Sequence, residues 1–142
     1  MIYLASEEET ENLGAELAKQ TPAGGTWLLQ GELGAGKTTW TRGFVQGLGG
    51  QQEQVSSPTY SVLHSYEVHG GKVYHLDLYR LGTEGIWTLG LEDILTMDDW
   101  LVAEWAGNSG QWQSGWVSLL ELSPFQDGRN ANWHGSIIDK NG

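Results

Sequence analysis

Eight consecutive residues, Gly31-Glu32-Leu33-Gly34-Ala35-Gly36-Lys37-Thr38, fit the pattern G-x-x-x-x-G-K-S/T at every fixed position. The pattern demands a strand before it and a helix after it, and the flanks supply both. Thr26-Trp27-Leu28-Leu29-Gln30 is an apolar run that reads as a buried strand, and residues 39–48 are compatible with a helix. Gly34 and Gly36 remove Cβ atoms where backbone must approach an oxyanion closely. Amide groups between Gly31 and Thr39 lack intrahelical partners, and the helix dipole adds positive potential where they point. The run through Gly34, Ala35 and Gly36 is thus expected to cradle phosphates. Lys37 is expected to neutralise the β/γ-phosphates and the Thr38 hydroxyl to ligate Mg²⁺. The competing reading, a chance glycine-rich turn, leaves the strand and the helix around it unexplained.

The rest of the chain reads as one α/β domain. Its 142 residues suffice for a single domain with a real core, and a hydrophobic share of 39% is ordinary for a globular protein. Ser6-Glu7-Glu8-Glu9 looks like a capping box with Ser6 as N-cap, so a helix is expected over Glu7–Lys19, with Leu13 and Leu17 on one face. Thr21-Pro22-Ala23-Gly24-Gly25 ends it, and Gly47-Leu48-Gly49-Gly50 stops the helix after the glycine turn. Residues 61–68 and 73–78 read as two strands joined by a turn at His69-Gly70-Gly71-Lys72. Residues 82–95 are expected to form a helical patch interrupted at Gly85 and Gly90. Trp100-Leu101-Val102-Ala103-Glu104-Trp105 reads as a buried strand, residues 107–115 as a polar loop and residues 117–122 as an outer strand. Ser123-Pro124 is expected to turn the chain, and residues 129–138 to add one more edge strand. The hairpin is antiparallel, so the central sheet is expected to be mixed. No repeat and no linker divides the chain.

Two apolar strands end in acidic residues, which is what a phosphate loop needs beside it. Asp77, near the end of Tyr74-His75-Leu76-Asp77-Leu78, is the candidate second Mg²⁺ contact. Glu104 closes the other strand; it could hold Mg²⁺ through water, orient the attacking water, or be an ordinary strand-end carboxylate. Thr59, in Ser57-Pro58-Thr59, either senses the γ-phosphate as a switch loop does or simply caps a turn. Arg80 fits a salt bridge with Asp77 as well as a phosphate role. His75 alternates with Asp77 along one strand face and reads as a satisfied structural histidine. The four histidines show no metal-ligand spacing, and most of the eight tryptophans read as core or edge packing.

Charge limits the partners. Seven Lys and Arg face 18 Asp and Glu, a formal net charge of −11. Lys37 is committed to the phosphate loop, and Lys19, Arg42, Lys72, Arg80, Arg129 and Lys140 are scattered. Autonomous nucleic-acid binding, which depends on Lys and Arg neutralising phosphates, is therefore not expected; a basic protein partner is. No cysteine is present, which fits a reducing cytosol and excludes disulfides and thiolate metal sites. The first residues have no basic n-region or apolar run, so no signal peptide is expected, and no segment has the length of a membrane span.

Four segments in series then carry a resemblance: Gly31-Glu32-Leu33-Gly34-Ala35-Gly36-Lys37-Thr38-Thr39, Ser57-Pro58-Thr59-Tyr60, His75-Leu76-Asp77-Leu78-Tyr79-Arg80-Leu81 and Glu104-Trp105. In order and spacing they resemble the TsaE (YjeE) family, small bacterial P-loop ATPases of tRNA threonylcarbamoyladenosine formation, over roughly residues 6–122. The resemblance implies a single P-loop NTPase-like α/β domain: a central, mainly parallel sheet, antiparallel flanking strands and helices on both faces. It implies ATP and Mg²⁺ as cofactors, cytoplasmic localisation, and TsaB and TsaD as the partner complex through which tRNA is reached. It implies that Lys37, Thr38 and Thr39 bind nucleotide and metal, that Asp77 and Glu104 are the key acids, and that Thr59 lies at the switch. Thr10, in the N-terminal helix, is the nearest match to a family threonine that approaches the nucleotide, and any C-terminal adenine contact falls near Arg129. After Glu104-Trp105 the family often continues with proline and a second acid, whereas this chain continues Ala106-Gly107.

Other classes fit less well. A small-molecule kinase needs several lid arginines to clamp the phosphoryl group, and only Arg42, Arg80 and Arg129 exist, none in an arginine-rich segment. A guanine-reading switch needs an N-K-x-D segment, which is absent. A nucleotide-dependent scaffold without catalysis remains the third reading.

Overall fold

The computed structural model describes residues 1–32, 34–51, 55, 63–77, 98–104 and 116–134, with the backbone alone at Asp77. In chain order the elements are β1 (Ile2–Leu4), α1 (Glu7–Lys19), β2 (Thr26–Gln30), α2 (Lys37–Gly47), β3 (Leu63–Val68), β4 (Gly71–Asp77), β5 (Trp100–Glu104), β6 (Val117–Phe125) and β7 (Gly128–His134). All the strands join one seven-stranded sheet, ordered β1-β7-β6-β2-β5-β4-β3. Its centre, from β6 through β2 and β5 to β4, is parallel. Both flanks are antiparallel: β6, β7 and β1 on one side, the β3–β4 hairpin on the other.

The central strands are apolar along their whole length because both faces are covered. Trp27, Leu29 and Val102 share a core cluster with Trp40, Phe44 and Val45 of α2, while Leu28, Leu76, Leu101 and Ala103 at alternate positions are buried as well. Tryptophan fills much of this core. Trp27 packs on Trp40 with ring centroids 5.3 Å apart, and Trp40 stacks on Phe44 at 5.1 Å. α1 begins as the capping box requires: Ser6 Oγ accepts from the Glu9 amide at 3.1 Å. Glu9 returns the bond one residue early, accepting from the Ala5 amide at 3.3 Å.

The hairpin closes through two residues, His69 and Gly70, with Gly70 at φ 86°, in the left-handed region that a tight hairpin turn needs. Three expectations fail on the C-terminal side. The strand from Val117 is not an outer strand; it lies inside the sheet, parallel to β2. Ser123 and Pro124 do not turn the chain but continue β6, and the turn comes at Gln126 and Asp127. The tail strand is β7, and it is not an edge, because β1 pairs on its far side. Pro124 is tolerated because β6 outruns β2: the β2 ladder ends at Glu121, so beyond it no β2 partner asks for its N–H. The helical patch expected over 82–95, the loop over 107–115 and the Ser57-Pro58-Thr59 turn lie outside the described residues. Among the described residues, no helix is long and apolar enough to cross a membrane.

Candidate functional site

The glycine turn connects the C-terminal end of β2 to the N-terminus of α2. Gly34 and Gly36 have φ of 83° and 106°, which side chains with a Cβ rarely adopt. Gly36 is the N-cap, so no side chain caps the first amides of α2, and the first turn of α2 holds no acidic residue. The positive end of this helix is thus left for an external anion.

Lys37 folds back over the turn. Its Nζ donates to the Gly31 carbonyl at 2.7 Å and lies 3.7 Å from Glu104 Oε1. Glu104 ends β5, which pairs directly with β2, and only 8% of it is exposed. Its other oxygen, Oε2, is 3.1 Å from His75 Nε2. His75 is fully buried on β4, and its Nδ1 is 3.2 Å from Tyr66 Oη on β3. Tyr66 Oη in turn meets His64 Nδ1 at 3.2 Å. A line of polar groups therefore runs from the phosphate loop across three strands to the edge of the sheet. His75 is satisfied, as expected of a structural histidine, but by a carboxylate of the site itself.

Asp77 ends β4 in register with Glu104 at the end of β5, so the two acidic positions stand on neighbouring parallel strands beside the loop. Thr38 is partly exposed in the first turn of α2, and Thr39 and Ala35 are buried beside it. Thr10 is also brought to the loop. Its side chain is buried in α1, and its methyl group stands 3.6 Å from where a Cβ on Gly36 would sit. Thr59 lies outside the described residues.

Arg129 is the residue whose place could not be read from sequence. It comes from β7, its Cδ lies 3.1 Å from that same Cβ position on Gly36, and its Nη1 donates to Thr10 Oγ1 at 2.7 Å and to the Ser6 carbonyl at 3.0 Å. The guanidinium thus grips the start of α1 while the side chain passes beside Gly36 of the phosphate loop. Only the pairing of β7 with β1 and β6, across more than a hundred residues of chain, puts it there.

Among the described residues no three His, Asp or Glu side chains cluster as a metal cage. The residues present nevertheless suit Mg²⁺ beside a phosphate, since that ion takes one hydroxyl and one or two carboxylates and draws its other ligands from phosphate and water. Thr38 and Glu104 are oxygen donors of that kind, and the uncapped amides of α2 suit the phosphate.

A parallel strand, a left-handed glycine turn and a lysine-bearing helix N-terminus, with an acidic end on the neighbouring strand, define a P-loop α/β protein. The family model for threonylcarbamoyl adenosine biosynthesis protein TsaE matches residues 4–129. A Haemophilus influenzae protein named tRNA threonylcarbamoyladenosine biosynthesis protein TsaE is 39% identical over 103 residues, 72% of this chain and 65% of that one. A Nostoc protein of the same name is 44% identical over 91 residues, 64% of this chain and 56% of that one. The match therefore spans less than two-thirds of either relative. The fold is also that of Bacillus subtilis YdiB, whose crystal structure superposes with a TM-score of 0.71 at 24% identity, covering 95% of this chain and 84% of that one. The chain belongs to the TsaE family.

Proposed function

We propose that this chain binds ATP with Mg²⁺, hydrolyses it slowly, and supports a TsaB–TsaD complex in placing threonylcarbamoyl on tRNA adenosine next to the anticodon. The observation that carries the reading is Lys37 at the mouth of the glycine turn, 3.7 Å from the buried carboxylate of Glu104 on the neighbouring strand. The names of the relatives support the pathway.

In this reading the amides from Gly34 to Thr39 hold the phosphates, and Lys37 exchanges the Gly31 carbonyl for the β/γ oxygens. Thr38, Asp77 and Glu104 would hold Mg²⁺, which would supply neutralisation of the phosphate charge. Glu104, screened from bulk water, orients the attacking water. Thr59 would sense the γ-phosphate as a switch-loop threonine does, and Thr10 and Thr39 would line the nucleotide side. Arg129 donates from Nη1 to the Ser6 carbonyl and Thr10, and the sequence has no arginine-rich segment to supply a finger on the transferring phosphoryl group, which is worth ~10³–10⁵ in rate. Slow turnover by the isolated chain follows.

Titration with a fluorescent ATP analogue and Mg²⁺, followed by phosphate release, tests the reading. Lys37→Ala is expected to weaken binding by ~10-fold or more, the scale of a charge-assisted hydrogen bond. Asp77→Ala and Glu104→Ala are expected to keep binding and lose phosphate release. Wild-type protein that shows no heat of binding with Mg²⁺ and ATP, or a Lys37→Ala variant that binds as tightly, would overturn it.

A further inference from the structure

We infer that His75 is a positioning residue for Glu104, itself aligned by Tyr66, and that this line of hydrogen bonds holds the carboxylate where hydrolysis needs it. The inference rests on the reading of Glu104 given above and adds two residues to that site.

A carboxylate only accepts hydrogen bonds, so the 3.1 Å contact with Glu104 requires the hydrogen of His75 to sit on Nε2. In the neutral ring Nδ1 is then the acceptor, and the Tyr66 hydroxyl at 3.2 Å donates to it. Tyr66 Oη keeps a lone pair for His64 Nδ1, also at 3.2 Å. Each donor has one acceptor, and the direction runs from the sheet edge inward to the carboxylate. His64 Nδ1 then carries the hydrogen of that contact.

The distances say what the bond does. Glu104 is pulled from two sides, yet Oε2 is within hydrogen-bond reach of His75 while Oε1 stops 3.7 Å from Lys37, too long for a hydrogen bond. Without the imidazole the carboxylate would lose a partner for a largely buried oxygen and swing toward the lysine. A bound triphosphate carries more charge than one carboxylate and would still take Lys37. Binding would survive while the carboxylate stood out of place. Such indirect support is what orients acting groups in metal and phosphate sites.

Three variants of the full chain test this. His75→Leu is expected to lower the kcat of ATP hydrolysis ~10-fold or more while the Kd for Mg²⁺ and ATP stays within ~3-fold. His75→Gln, which carries an N–H near the position of Nε2, is expected to restore most of the rate. Tyr66→Phe keeps the imidazole and most of the volume, and a loss of a few-fold in kcat is expected. Imidazole ¹⁵N spectra of the wild type should show the Nε2–H tautomer, which gives a readout even if His75→Leu does not fold. An Nδ1–H tautomer, a His75→Leu rate equal to wild type, or parallel loss of binding and rate with no rescue by Gln overturns the inference alone. Wild-type protein that binds nucleotide but releases no phosphate overturns the parent reading and this one with it.

Discussion

His64 is where the line of polar groups reaches the edge strand, and its environment has a pH signature. Burial first, then the nearby His75, lower its pKa from the ordinary 6.5. The unfolded chain therefore binds a proton at this site in a range where the folded chain does not. Stability is whole above about pH 6.5 and falls as pH drops from there toward the lowered folded value, below which the loss is constant. His64→Gln removes that contribution. Thermal melts between about pH 7.5 and 5 should show a shallower acid-side decline for the variant than for the wild type; parallel declines would show that the imidazole contributes nothing. At this scale a residue's position was legible in the sequence where it is set locally. Lys37 and Thr38 follow from a contiguous motif. Glu104 was found as a strand end. His75 was seen to alternate with Asp77 but not to face Glu104, because that contact depends on the lateral order of β4 and β5.

α1 and α2 cross at a contact made by glycines, which sets the position of the phosphate loop relative to Thr10. A Cβ on Gly43 would overlap the Glu11 carbonyl of α1, and one on Gly14 would overlap the Trp40 carbonyl of α2. Both obstacles are backbone, so neither can rotate aside. Alanine favours a helix interior over glycine by ~1 kcal/mol. Overpacking a close-packed contact costs ~1–3 kcal/mol, and here the helices would have to separate. The clash wins: Gly43→Ala should lower the melting temperature by several degrees, on the order of 1–2 kcal/mol, measured by circular dichroism. An unchanged or higher melting point would mean that the helices part freely. The elements themselves were largely legible: the capping box named α1, the apolar runs named β2 and β5, and glycine turns marked the hairpin. The flank formed by β6, β7 and β1 was not. β7 reads Gly-Arg-Asn-Ala-Asn-Trp-His, with too little apolar alternation to signal a strand with neighbours on both sides, and β1 is only three residues long. Pro124 argued for a turn because proline ends most ladders, and the exception depends on β6 extending past β2.

At the scale of the whole molecule the charge balance decides what the chain can meet. Of seven cationic side chains, Lys37 lies in the phosphate loop and Arg129 is tied to Ser6 and Thr10 beside it. The five others are scattered along a sequence that carries 18 acidic residues. That conclusion was available from composition alone, whereas the placing of Arg129 required the sheet. On the proposed function, a role on tRNA would pass through partner proteins that carry positive charge. The isolated chain should not retard tRNA at ~10 μM and physiological salt, a concentration inside the ~10⁻⁴–10⁻⁶ M range in which ordinary nucleic-acid binders associate non-specifically. Its association with a TsaB–TsaD complex should slow as salt rises from about 50 to 200 mM, because an acidic surface steers toward basic ones over a Debye length of roughly 10 Å. Surface-plasmon measurements of the association rate across that series read the effect directly. A flat salt dependence would place the contact on apolar surface instead, and retardation of tRNA by the chain alone would contradict the argument from charge.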